Sequence, residues 1–328
     1  MSAARPSGKA EIRVGTSGWS YPSGKGTWNG IFYPAQPARR RRGVPKFDEL
    51  SFYAEHFDTV EVNSSFYRVP AVSAVEKWVE RTPERFEFSL KLYQKFTHPD
   101  MFAKATGGDP SKLGRTDVDE FRTAIGPLAE AGKLGALLAQ FPASFKDDPE
   151  SRGYLEWLLQ SFREYPIAVE LRHRSWSEQP KQTAALLGEF DAALAQIDEP
   201  KFKTSIRQTL LPNVKSFYYL RLHGRNAAQW WKHDSSEDRY NYLYTAAELE
   251  PFAEAAEAAS REVKKAYLYA NNHFSAKSVA NAAILKTQLG QQLDGEYPPE
   301  FVEEYPDLKG LVKILPQQPS LTPSRKPS

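Results

Sequence analysis

In Thr59-Val60-Glu61-Val62-Asn63, two valines alternate with a carboxylate and an amide. A period of two marks a strand with one apolar and one polar face. In a closed barrel the apolar face packs on the surrounding helices, so Val60 and Val62 point outward and Glu61 and Asn63 point in. The same parity recurs along the chain. Phe86, Phe88, Leu90 and Leu92 form an outer face that leaves Ser89 and Lys91 inside. Ile167, Val169 and Leu171 are outer, so Glu170 and Arg172 point in; Leu220 and Leu222 are outer, which turns Arg221 and His223 inward. On the same logic Gln140, Tyr269 and Asn271 are interior.

Working outward, strand patterns fall at 11–15, 59–63, 86–92, 134–141, 167–172, 192–198, 217–223 and 266–271, the alanine-rich sixth being the weakest. Helical patterns lie between them at 47–56, 72–81, 118–131, 154–162, 183–190, 246–262 and 277–289. Alternating strand and helix signals predict an α/β fold with a parallel sheet, and eight strands predict a single (β/α)8 TIM barrel. The barrel is expected to span 11–312, between a flexible N-terminus at 1–10 and a disordered Pro-, Ser- and Gln-rich tail at 313–328.

The chain has 328 residues, and at 41% hydrophobic and 13% aromatic it can bury a core of that size. It contains no cysteine, which excludes disulfides, thiolate zinc sites and cysteine nucleophiles. The net charge of +2 is too balanced for the chain as a whole to be an electrostatic nucleic-acid binder. No apolar run approaches the roughly 20 residues of a membrane span, and residues 1–10 lack the apolar stretch of a secretory signal. A cytoplasmic location and no membrane partner are therefore expected. The run Arg39, Arg40, Arg41 and Arg42 is expected to be solvated loop, with phosphate binding as the alternative.

Two connections are unusually long and aromatic. Residues 16–46, after the first strand, hold Trp19, Tyr21, Trp28, Phe32 and Tyr33; residues 224–245, after the seventh, hold Trp230, Trp231, Tyr240, Tyr242 and Tyr244. Both should lie at the C-terminal face, where barrel enzymes build their sites. They either wall the site or merely cap the barrel end.

Six strands carry polar inward residues near their C-terminal ends, whereas at the other end only Arg13 and Glu87 do so. Buried charge is costly unless paired or used, so a site at this mouth is expected. Lys91, Arg172 and Arg221 outnumber Glu61 and Glu170, which suits an anionic ligand. A single divalent ion on Glu61, Glu170 or His223 is compatible with these donors, although no metal ligand is assigned and no organic cofactor is expected. His98, His173 and His273 follow strands and could reach the rim, but each reads first as a hydrogen-bonding loop residue; His56 and His233 receive no role. No Walker loop, G-x-S-x-G elbow or H-E-x-x-H motif is present.

The ordered motifs Gly15-Thr16-Ser17-Gly18-Trp19, Val60-Glu61-Val62-Asn63 with Ser65-Phe66-Tyr67, and Phe88-Ser89-Leu90-Lys91 with Thr97-His98 open a longer pattern. It continues through Leu138-Ala139-Gln140-Phe141-Pro142 and Val169-Glu170-Leu171-Arg172-His173-Arg174-Ser175-Trp176. Tyr219-Leu220-Arg221-Leu222-His223-Gly224 and Tyr269-Ala270-Asn271-Asn272-His273 complete it. In these motifs, from Val14 to about Leu289, the chain resembles the domain-of-unknown-function 72 family, also called YecE-like. The resemblance implies a barrel fold and, because the family's activity is not established, no catalytic role. Its motif positions coincide with Glu61, Asn63, Lys91, Gln140, Glu170, Arg172, Arg221, His223 and Asn271. The arginine-rich stretch between Tyr33 and Phe47 looks expanded for the family, so Arg39 to Arg42 gain no support from it.

The leading expectation is an enzyme of hydrolase or isomerase type acting on a phosphate-bearing or other anionic small molecule. Lys91, Arg172 and Arg221 would hold the anion with Asn63, Gln140 and Asn271; Glu61 or Glu170 would act as base and His223 as acid or base. One alternative is a carbohydrate-active enzyme using Glu61 and Glu170, with loop tryptophans stacking on sugar rings. Another is a non-catalytic module binding nucleic acid or a metabolite through Arg39 to Arg42 and the aromatics.

Overall fold

The computed structural model describes residues 8–36, 46–230 and 236–316. Expectations for residues 1–7, Arg39 to Arg42, Trp231, His233 and 317–328 fall outside the described residues.

Nine parallel strands form one sheet: β1 Glu11–Ser17, β2 Thr59–Val62, β3 Glu87–Lys91, β4 Leu134–Gln140, β5 Ile167–Glu170, β6 Ala193–Leu194, β7 Gln196–Asp198, β8 Phe217–Leu222 and β9 Lys265–Ala270. Their order is β6-β5-β4-β3-β2-β1-β9-β8-β7, so the two ends of the sheet are consecutive in the chain and only Ala195 separates them. This is a TIM-barrel arrangement in which the sixth strand, expected as one run, is split. β6 pairs with β5 through Ala168 to Ala193 and Val169 to Leu194, and β7 pairs with β8 through Gln196 to Leu220 and Asp198 to Leu222.

Side chains fill the gap where the strand changes neighbours. Asn213 accepts from the Leu194 amide at 2.7 Å and donates to the Ala192 carbonyl at 2.9 Å. Gln208 accepts from the Ile197 amide at 2.8 Å and donates to the Ala195 carbonyl at 2.7 Å. Buried backbone groups need such partners wherever a ladder lapses.

Strand parity is as the alternation predicts. Val60, Val62, Phe88, Leu90, Val169, Leu220 and Leu268 lie in the large core between sheet and helices. Ala136, Leu138, Ala168, Ala195, Tyr219, Tyr267 and Tyr269 form a second cluster inside the barrel. At the N-terminal end Arg13 contacts Glu11, Asp58 and Glu87, each at 3.3 Å. Above that layer the Tyr269 hydroxyl meets Thr59 Oγ1 at 2.7 Å and Ser89 Oγ at 2.9 Å. The charged mouth thus stands on a floor of tyrosine and alanine.

Two of the helices around the barrel begin on side-chain caps as follows: Asp48 accepts from the Ser51 amide before Glu49–His56, and Thr245 with Glu248 forms a capping box before Ala246–Ala259. Beyond the last large helix, β10 Glu296–Tyr297 pairs in parallel with β11 Lys313–Ile314. The Leu315 amide adds a 2.8 Å bond to the Tyr297 carbonyl, so ordered pairing extends past residue 312, where the tail was expected to begin. No helix among the described residues is long and apolar enough to cross a membrane.

Close packing between β1 and β2 depends on Gly15. A Cβ there would sit 2.2 Å from the Thr59 carbonyl oxygen, a backbone atom that cannot swing away. Gly15→Ala is expected to destabilise the barrel by about 1–3 kcal/mol, the usual cost of overpacking. A urea midpoint equal to that of the wild type would show that the strands part without penalty.

Candidate active site

Arg221, at the C-terminal end of β8, is the hub of the mouth and is 1% exposed. Its Nε and Nη2 donate to the two oxygens of Glu61 at 2.9 and 2.6 Å. Its Nη1 donates to Glu170 at 2.5 Å and to Gln140 Oε1 at 3.0 Å. Glu61 also accepts from Ser17 Oγ and from the Tyr219 hydroxyl, both at 2.7 Å, so four donors hold its carboxylate. Glu170 additionally takes Arg172 through Nε at 2.8 Å and Nη2 at 2.7 Å. Arg172 in turn reaches Glu199 at 3.5 Å.

Electrostatics follow from this geometry. Burial alone would raise the Glu170 carboxyl, but Arg221 and Arg172 outweigh it and hold the group well below the usual carboxylate range. Burial pushes His223 down to about 3, with Arg221 and Arg172 opposing the help of Glu170, so the imidazole is neutral near pH 7. Asn271 Nδ2 lies 2.8 Å from His223 Nδ1, and His223 Nε2 lies 3.3 Å from Glu170 and 3.4 Å from Arg172 Nη2 and Arg221 Nη1. Asn63 Nδ2 reaches Asn271 Oδ1 at 3.4 Å.

A cavity of about 510 Å³ opens above this network. Of the nine residues selected by parity, Asn63, Lys91, Gln140, Arg221 and Asn271 line it, whereas Glu61, Glu170, Arg172 and His223 do not. The three residues expected to do acid–base chemistry therefore lie behind the cavity wall. No acidic side chain lines the cavity among the described residues, but Lys91, Arg221 and Arg239 do.

The expected cation excess also changes character. Glu199 joins Glu61 and Glu170 as a third carboxylate, and together they occupy Arg172 and Arg221. Lys91 is different. Its Nζ lies 3.7 Å from the centroid of the Phe66 ring and has no hydrogen bond or ion pair among the described residues. Burial, reinforced by Arg221 and Arg172, pushes its amine down to about 7 against the pull of Glu170 and Glu61. Arg239 stacks at 5.5 Å on Trp230, and its Nε is buried with no hydrogen-bond partner.

The histidines divide as loop residues and neighbours of the site. His98 bonds Thr97 Oγ1 at 2.9 Å and lies edge-on to Phe66; burial, then Lys91, pushes it down to about 3. His173 accepts from the Ser175 amide at 3.2 Å and caps Arg174–Ser177. His273 stacks on Tyr21 at 4.6 Å and lines the cavity. His56 spans the carbonyls of Phe52 and Glu296, remote from the mouth in its bonding.

The aromatic loops divide between the cavity and the outer shell. Trp28, Phe32 and Tyr33 are buried, with Phe32 packed on Phe52, His56, Tyr297 and Phe301 and Tyr33 on Phe47 and Phe52, while Trp19 and Tyr21 wall the cavity. Tyr240 does the same from the second loop, where Tyr244 instead bonds Asp198.

Residues 13–303 match the family described as "Protein of unknown function DUF72". The chain belongs to the DUF72 family. Over 293 residues, 87% of this chain and 96% of the relative, this DUF72 chain is 30% identical to the UPF0759 protein YunF of Bacillus subtilis. It is also 30% identical to the UPF0759 protein YecE of Escherichia coli over 165 residues, 49% of this chain and 48% of that one. Among solved structures, a DUF72 family protein of Thermotoga maritima superposes with a TM-score of 0.71 at 32% identity, covering 86% of this chain and 100% of that one. A DUF72 family protein of Enterococcus faecalis gives 0.72 at 27% identity, with 86% and 97% covered. These DUF72 relatives agree on the barrel and name no substrate.

Mouth residues outside the expected set include Ser17, Tyr219, Glu199 and Arg239. Parity carried two residues past Gly15 would have turned Ser17 inward, and parity through Arg221 implies Tyr219. Glu199 follows the weakest strand pattern. Arg239 sits in a long loop with no periodicity to place it. Among the described residues no group of three or more His, Asp or Glu is disposed to hold a metal ion.

Proposed function

We propose that this DUF72 protein is an enzyme acting on a small phosphate-bearing or otherwise anionic substrate at the barrel mouth. The observation that carries this is the lining of the cavity: three cations and no carboxylate among the described residues. Arg221 is saturated from behind, which leaves Arg239 to meet the anion and Lys91 to supply positive potential or, when neutral, to accept a proton. Asn63, Gln140 and Asn271 offer amide donors and acceptors to the rest of the substrate. Glu61, Glu170, Arg172 and His223 then act as a rigid layer that fixes Arg221, Gln140 and Asn271. Glycoside hydrolysis by Glu61 and Glu170 is less well supported, because one carboxyl must be protonated and Glu170 is held strongly ionised.

A thermal-shift panel tests this reading. At about 100 times Kd, a phosphorylated metabolite such as glucose 6-phosphate or glycerol 3-phosphate stabilises the fold by about 2.7 kcal/mol. The Tm gain is expected to shrink with added salt and to be lost in Arg239→Gln, while glucose and glycerol give none. Stabilisation by the neutral sugars alone would refute the reading.

A further inference from the structure

We propose that Lys91 is a carbonyl-capturing lysine, and that the substrate is an aldehyde or ketone carrying an anionic group. This deepens the anionic-substrate reading and rests on it. Four observations converge on the amine. It projects from the C-terminal end of β3 and lines the mouth cavity, although the residue is only 9% exposed. No carboxylate engages it among the described residues, in a site where Arg172 and Arg221 take every glutamate at hand. Its Nζ lies over the face of Phe66, which stabilises an ammonium far less than a carboxylate does. Amide side chains of Asn63, Gln140 and Asn271 share the same wall and can orient a carbonyl oxygen.

A lysine that served only to neutralise buried acid would be placed against one. Lys91 has no acid placed against it, and its placement is what a nucleophilic amine needs: dry surroundings, neighbouring guanidinium charge and an open cavity. The lowered proton affinity noted above follows from that placement and leaves a large share of the amine neutral near pH 7.

The chemistry balances without any further reagent. The Nζ lone pair attacks the carbonyl carbon and the N–C bond forms. The C–O bond then breaks, and the oxygen leaves as water with the two hydrogens of the neutral amine. Protonated from solvent, the resulting iminium withdraws electrons from the adjacent carbon, which then releases its proton to water more readily. Hydrolysis by one water returns the lysine. Arg239, on the same cavity, would hold the anionic end while Lys91 holds the carbonyl end.

Borohydride trapping decides the matter. The full-length protein is incubated at pH 7.4 with dihydroxyacetone phosphate, pyruvate or neutral dihydroxyacetone, reduced with sodium borohydride and mapped by peptide mass spectrometry. The expected result is a reduced adduct at Lys91 with the two anionic carbonyls, at least about tenfold above any other single lysine, since ordinary lysines titrate near 10.4 and are almost wholly protonated. Lys91→Arg removes the adduct and leaves background labelling unchanged. Arg239→Gln raises the concentration of dihydroxyacetone phosphate needed without abolishing the adduct. If the anionic carbonyls raise the Tm but label Lys91 no more than surface lysines, the imine proposal fails and the anion site stands. If they neither raise the Tm nor label Lys91, both fall. Strong labelling by dihydroxyacetone equal to that by its phosphate supports the imine and overturns the anionic requirement.

Discussion

Arg221→Met is expected to lower the unfolding free energy by about 3–5 kcal/mol, the scale seen when one member of a buried ion network is removed. The guanidinium neutralises Glu61 and Glu170 together, and both carboxylates are 0% exposed. Methionine fills most of the volume but leaves Glu61 with only the hydroxyls of Ser17 and Tyr219, and Glu170 with only Arg172 and His223. Stranded buried charge, rather than a lost attraction, is the source of the penalty. Urea unfolding monitored by tryptophan fluorescence measures it. Arg221→Lys should recover only part of the loss, because a point charge cannot form the paired bonds that Nε and Nη2 make to Glu61. A wild-type midpoint for Arg221→Met would mean that the two glutamates rearrange to reach water.

Lys91→Met is expected to act with the opposite sign. The folded protein holds this amine at about 7 against an ordinary value of 10.5, so between those limits the unfolded chain binds a proton that the folded chain does not. Stability of the wild type therefore rises with pH through that window, and the penalty of burying an ammonium is fully present below it. Replacing the amine by a thioether should stabilise the protein by on the order of 2–4 kcal/mol at pH 6, with the gain shrinking as pH approaches 10. The measurement is the difference in unfolding free energy between variant and wild type at each pH, in which titrating groups that do not sense Lys91 cancel. A difference that stays constant from pH 6 to 10 would contradict the burial of a protonated Lys91. A residue whose removal strengthens the fold is one retained for its chemistry.

Much of the architecture was legible because strand parity is a local property. Val60 and Val62 alone orient Glu61, and the same two-residue period orients Lys91, Glu170, Arg221 and His223. Which inward residues meet is not local, since it depends on the stagger between strands. Arg221 bonds Glu61 from across the barrel and Glu170 from another direction, and no pattern in the sequence announces that these three neutralise one another. Hence the sequence suggested arginines free to hold an anion, whereas the structure occupies them and leaves Lys91 and Arg239 lining the cavity. The sixth strand was weak for a physical reason as well. Alanine carries little strand preference, and the segment is in fact broken at Ala195, with Gln208 and Asn213 supplying bonds that strand neighbours would normally make.

That break has a further meaning for how the molecule behaves among copies of itself. The other junctions in the shell are strand ladders, the one between β3 and β4 with a register shift between Phe88 and Leu90, but here the first and last edges are stitched by amide side chains from one connecting segment. Should the stitches loosen, β6 and β7 would each expose unpaired backbone groups, the template on which a second chain can lay a strand. Gln208 and Asn213 thus guard the molecule against self-assembly as well as closing its wall.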